Sequence, residues 1–175
     1  MEFKKDSLLL NIFGVLLLGI SGYVYWDYYQ PDWKFYQSDF RALVAEKFGE
    51  ERASKIPKGL QQIWVKELNK VERCTTCHQG IQWKGLENAD HPFRTHPQEI
   101  LKEHPIEKFG CVSCHGGQGY ATNVQEAHGF TEHWENPLLG KELSELYLVR
   151  DKKAMMQMNC NSCHRFDRET KGADS

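Results

Sequence analysis

Three times along the chain, two cysteines flank a pair of residues and a histidine follows at once. The units are Cys74-Thr75-Thr76-Cys77-His78, Cys111-Val112-Ser113-Cys114-His115 and Cys160-Asn161-Ser162-Cys163-His164, and together they use all six cysteines. This is the spacing of c-type haem attachment, in which two thiols bond to one porphyrin edge and the adjacent imidazole binds the iron. Neither a zinc site nor a disulfide requires that histidine. With His at about one residue in twenty, its chance placement after all three pairs has odds on the order of one in ten thousand. A zinc ribbon would use the pairs two at a time and leave one over. A thioredoxin-like pair needs a βαβ setting that the flanking sequence lacks. The motifs therefore predict three covalently bound haems c, with His78, His115 and His164 as proximal iron ligands.

A chain organised by cofactors needs little apolar core of its own. Apolar residues make up 40% of the 175, and a large share of them falls in the first 26 positions. What remains is polar and rich in His (8) and Trp (four of the chain's 5), so metal, disulfide or cofactor must supply part of the core. The 22 basic and 24 acidic residues leave a formal charge of −2, which argues against a nucleic-acid partner.

Leu8 to Trp26 carries no charged side chain over 19 residues, about the length of a membrane-spanning helix. Lys4 and Lys5 precede it and Tyr23, Tyr25, Trp26, Tyr28 and Tyr29 close it, the pattern of a cytoplasmic end and an interfacial aromatic belt. No small-x-small cleavage site follows, which favours an uncleaved anchor over a signal peptide. Asn11, Gly14, Leu18, Ser21 and Gly22 recur at steps of three or four, a stripe suited to close packing of a partner helix. The expected organisation is a cytoplasmic segment 1–6, an anchor helix 7–29, a helical connector 30–70 and a triheme domain 71–175.

Within the connector, Ser38 can cap a helix that presents Phe40, Leu43, Val44 and Phe48 and stops at Gly49. A second helix is expected over 59–68. From Cys74 to Pro137 prolines and glycines interrupt any long period, and 142–158 reads as helix again. The predicted fold class is mainly α with much irregular structure: one N-terminal transmembrane helix and a small domain organised around its haems.

Each iron takes a sixth ligand or stays open. His96 and His104 each precede a proline that stiffens the backbone, and His128 stands in Ala-His-Gly, so these three rank first. His133 and His91 rank behind them, as does Met158, a thioether donor on a helix whose methionines are better read as packing. Two imidazoles per iron give low-potential carriers. Gly116-Gly117-Gln118-Gly119 lacks the surroundings of a phosphate loop and reads as backbone passing close to a porphyrin, while Trp64, Trp83 and Trp134 read as porphyrin-packing residues.

The strings Arg73–Gly80, Pro92–Pro97, His104–Gly119 and Ala127–Gly129 resemble bacterial membrane-anchored multihaem cytochromes c. The likeness covers roughly residues 60 to 165. The resemblance implies a single-pass protein of the bacterial inner membrane with its haem domain on the periplasmic side. It also implies partnership with quinol-oxidising complexes of cytochrome b or Rieske type, and supports His96, His104 and His128 as distal ligands. The expected role is electron transfer from such a membrane complex to a periplasmic acceptor, without catalysis by the chain itself. Two rivals stand: a haem enzyme with one open iron reducing a small nitrogen or sulfur species, and a mainly structural subunit. The third motif lies close to Ser175, so a neighbouring subunit or further sequence is expected to enclose its haem.

Overall fold

The computed structural model describes residues 2–164, and about half of the chain is helical. The segment 165–175 of the expected triheme domain lies outside the described residues.

Helix α1 (Glu2–Tyr29) contains the apolar stretch Lys5–Tyr29, with mean hydropathy 2.0 and none of it buried against the rest of the described chain. At a rise of about 1.5 Å per residue it exceeds the roughly 30 Å of a hydrocarbon layer. It is the one helix among the described residues long and apolar enough to cross a membrane. The glycines of the expected stripe, Gly14 and Gly22, have nothing within 4 Å of where a Cβ would stand.

Helix α2 (Asp32–Phe48) begins six residues before the expected Ser38 cap. Pro31 is its N-cap in extended geometry (φ −68°, ψ 145°) and needs no N–H partner at that position, while Asp32 places negative charge in the first turn. One face buries Gln37, Phe40 and Val44. After Gly49, α3 (Glu50–Ser54) turns back so that Ala53 and Ile56 join Phe40, Val44, Leu86 and Ala89 in one cluster. Trp83 meets Phe40 edge-on, with ring centres 5.6 Å apart.

Buried Gln37 ties this cluster to the first cysteine motif. Its Nε2 donates to the Gly59 and Thr76 carbonyls at 2.7 and 3.1 Å, and its Oε1 accepts from Gly59 N–H at 3.0 Å. Gln37→Leu strands the Thr76 carbonyl and the Gly59 N–H, and leaves the Gly59 carbonyl only its 3.2 Å bond from Gln61 Nε2. We expect it to destabilise the domain by about 3 kcal/mol, read as a lower urea midpoint at unchanged slope.

The expected helix over 59–68 is instead a hairpin. Strand β1 (Ile63–Val65) pairs antiparallel with β2 (Lys70–Glu72), in the register Ile63↔Glu72, Trp64↔Val71, Val65↔Lys70. β-branched Ile63, Val65 and Val71 suit the pleat, and Asn69 turns the chain in the left-handed region (φ 49°). Short one- and two-turn helices follow: α4 (Gln98–Glu103), α5 (Ile106–Phe109), α6 (Val112–His115) and α7 (Val124–Ala127).

The single helix expected over 142–158 is two, α8 (Lys141–Leu146) and α9 (Lys152–Cys160). Leu148 takes φ 55°, and Val149 N–H and Leu148 N–H donate back to Ser144 and Glu145 carbonyls, a Schellman stop without glycine. Only nine apolar residues are buried among those described, too thin a core to organise the loops between 78 and 140 unaided.

Candidate functional site

All three cysteine motifs fold into the same local turn. The histidine N–H donates to the carbonyl of the first cysteine at 3.0, 2.9 and 2.7 Å in His78, His115 and His164. The second cysteine N–H reaches the same carbonyl at 3.2, 3.2 and 3.1 Å. One helical turn brings positions i, i+3 and i+4 to a common side, so two thiols and an imidazole present together. All six thiols are free.

Each motif histidine faces a histidine from elsewhere in the chain. Ring centres lie 6.4 Å apart for His78 and His128, 6.0 Å for His115 and His96, and 5.9 Å for His164 and His104. Two imidazoles bound through nitrogen at about 2 Å on opposite sides of one metal ion hold their ring centres about 6 Å apart. The three partners are positioned by short structure. His128 and His104 stand at the C-caps of α7 and α4, and His96 just before Pro97. His96 Nδ1 lies 3.1 Å from the Pro97 carbonyl and His104 Nδ1 3.3 Å from that of Ile100. With Nδ1–H donating to a carbonyl, Nε2 keeps its lone pair for a metal.

Burial, then the nearby His128, His91 and His115, lowers His78 to about 4. Burial, then His96, lowers His115. Both imidazoles are therefore neutral at neutral pH, the ligating form.

The motifs also touch one another. Single ligand atoms of Cys74, Cys111 and Glu72 all lie within 4.8 Å of one another, and this group can hold a metal ion. The Cys111 thiol donates to the Cys74 sulfur, which lowers Cys74 and raises Cys111. Burial raises Cys114, and Cys160 and Cys163 raise it further, so the second motif's other thiol looks toward the third motif. Asn159 of α9 donates to the Cys114 carbonyl at 3.3 Å. Burial, then Asp32 at the start of α2, raises Cys77 to about 11. The spatial order is thus first, second, third, with the first motif nearest the foot of α1. A cavity of about 360 Å³ opens beside it, lined by Phe40, Thr75, His78 and Trp83 among others.

Comparison with protein-family models, curated proteins and solved structures finds no match.

Among the residues ranked lower, His91 is near enough to act on His78. His133 is exposed at 3.4 Å from Glu132, and Met158 is exposed, while Met155 is buried. Trp83 belongs to the apolar cluster, and Trp64 is exposed under Lys66. Trp134 borders Gly129 beside His128. The glycine string makes close contacts within the chain itself. A Cβ on Gly116 would meet the Pro137 carbonyl, one on Gly117 the Ala127 carbonyl at 2.5 Å, and one on Gly119 the Glu72 side chain at 2.8 Å. Glu72 is the site residue that sequence reasoning missed, because nothing in the motif spacing requires an acid two positions before Cys74.

Proposed function

We propose that the chain is a membrane-anchored, triheme c-type cytochrome that transfers electrons between a membrane donor and an acceptor outside the membrane. The observation that carries this reading is the set of three ring pairs, each bringing one motif histidine within 5.9 to 6.4 Å of one other histidine, close enough that the two could hold one metal ion. The thiols of Cys74 and Cys77, Cys111 and Cys114, and Cys160 and Cys163 would anchor the three groups. His78 with His128, His115 with His96, and His164 with His104 would hold the irons. When bound, haem c supplies reversible one-electron chemistry at each site.

The chain's own residues supply order and insulation. Cys74 beside Cys111 and Cys114 beside Cys160 bring successive attachment points together, and the apolar cluster around Phe40 closes one side of the first. Two imidazoles at every site favour an electron carrier over an enzyme with an open iron. α1 is long and apolar enough to cross a membrane, and as a single-pass anchor with Lys4 and Lys5 inside it would leave the motif domain on the periplasmic face of a bacterial inner membrane. The strings that resemble membrane-anchored multihaem cytochromes support a quinol-oxidising partner of cytochrome b or Rieske type as donor, and a periplasmic protein as acceptor.

A second reading rests on Glu72, Cys74 and Cys111, whose ligand atoms suit a zinc-like ion bound by thiolates and a carboxylate. One preparation separates the two. The chain purified in mild detergent from a host able to attach haem c is expected to carry three haems by intact mass and no stoichiometric zinc, and to co-purify with integral-membrane subunits. Zinc with no haem would reverse the assignment. Three haems on a chain recovered alone would remove the complex but leave the cytochrome.

A further inference from the structure

Glu72 is a carboxylate with 1% of its surface exposed, and it lies at the seam between the first two motifs. It ends strand β2, two residues before Cys74, and reaches across to the start of the second motif. Its Oε2 accepts from Cys111 N–H and from Val112 N–H at 3.2 Å, and Oε1 accepts from Val112 N–H at 3.3 Å. Two glycines make the room. Gly110 (φ 69°) has no Cβ where one would strike Oε1, and Gly119, whose carbonyl accepts from Arg73 N–H at 2.6 Å, has none where one would strike Cγ. Among the described residues no salt bridge includes Glu72, and Arg73 instead reaches Gln62 and the Tyr120 carbonyl. A buried carboxylate answered by backbone donors and the Cys111 thiol, and lacking a cation among the described residues, is costly to keep for packing alone.

We propose that Glu72 is a positioning residue for electron transfer. It docks the second haem-attachment turn onto the first and places a negative charge at their shared edge, which lowers the potentials of the first two irons relative to the third. Local charge, hydrogen bonding and burial are what set potentials in such sites, and a charge acts strongly where water is excluded. The third motif meets the second through Cys114 and α9, and Glu72 makes its hydrogen bonds at the start of the second motif, so the charge acts most on the first two sites. This inference rests on the triheme reading.

The test is a spectroelectrochemical titration of the detergent-solubilised wild type, E72Q and E72D, with haem counted by intact mass. E72Q keeps the shape and one acceptor oxygen while removing the charge. It should retain three haems, with two of three midpoints raised by about tenfold in the reduction equilibrium, about 59 mV for one electron. E72D, which keeps the charge, should stay near the wild-type values. E72Q that loses haems while E72D assembles with wild-type midpoints also supports the docking role. Unmoved midpoints in E72Q, an equal shift of all three, or failure of both variants to assemble would overturn it while leaving a triheme wild type intact. A wild type without haem overturns this inference and the cytochrome reading together.

Discussion

Alanine at His128 is expected to convert a protein that binds no carbon monoxide into one that binds a single molecule per chain. The expectation follows from the pairing. Every motif histidine has a second histidine ring at 5.9 to 6.4 Å, so if each pair holds one iron as proposed, no iron of the wild type would have a vacant position. Removing the His128 ring opens the first site alone, since the other two pairs use His96 and His104. The fold around it should persist, because His128 N–H still donates to the Val124 carbonyl and its own carbonyl still accepts from Leu138 N–H. His91 also acts on His78, so H91A is the control and should leave the protein unreactive. Equivalent single openings are expected from H96A and H104A. The measurement is a reduced-minus-CO difference spectrum on each variant. Stoichiometric binding by the wild type would sink the bis-histidine assignment and revive the open-iron enzyme, and none by H128A would remove His128 as a ligand.

The second large effect comes from one methyl group. Gly117→Ala should destabilise the domain by about 3 kcal/mol, from the left-handed backbone and from forced overlap. Gly117 sits at φ 82°, and a Cβ there would stand 2.5 Å from the Ala127 carbonyl oxygen. That carbonyl accepts from Gln118 N–H at 2.8 Å, and Gly117 N–H donates to Asn136 at 2.7 Å. The two backbone segments cannot separate without breaking these bonds. Because Ala127 is the last residue of α7, the displacement falls on His128. Haem counting by mass should therefore show preferential loss at the first motif, alongside a lower denaturation midpoint. Full haem occupancy with an unchanged midpoint would contradict the account of the glycine string.

How much of this was legible beforehand depends on the distance over which each feature is decided. The turn shared by the three motifs is local, because two thiols and an imidazole at i, i+3 and i+4 meet on one side of any helical turn. It could be read from spacing. The apolar run that becomes α1 was equally plain, since nothing but length and hydropathy is involved. Features that depended on one residue's backbone were missed. Pro31 starts α2 earlier than Ser38 would have, and Leu148 in the left-handed region divides the last helix without the usual glycine. The hairpin over 63–72 was mistaken for helix because strands of three residues carry too little pattern to be told from a short helical turn.

The sequence by itself singled out the residues on which the proposed chemistry rests: six thiols, three histidines joined to them, and three more set apart by their proline and glycine neighbours. It could not say which ring faces which, since His78 and His128, like His104 and His164, lie fifty or more positions apart and meet only through the folded loops. Nor could it single out Glu72, an ordinary strand residue in the chain and a buried carboxylate between two motifs in the fold. Spacing constrains neighbours within one turn. Pairing across the domain, and the burial that makes a charge matter, are properties of the packed whole.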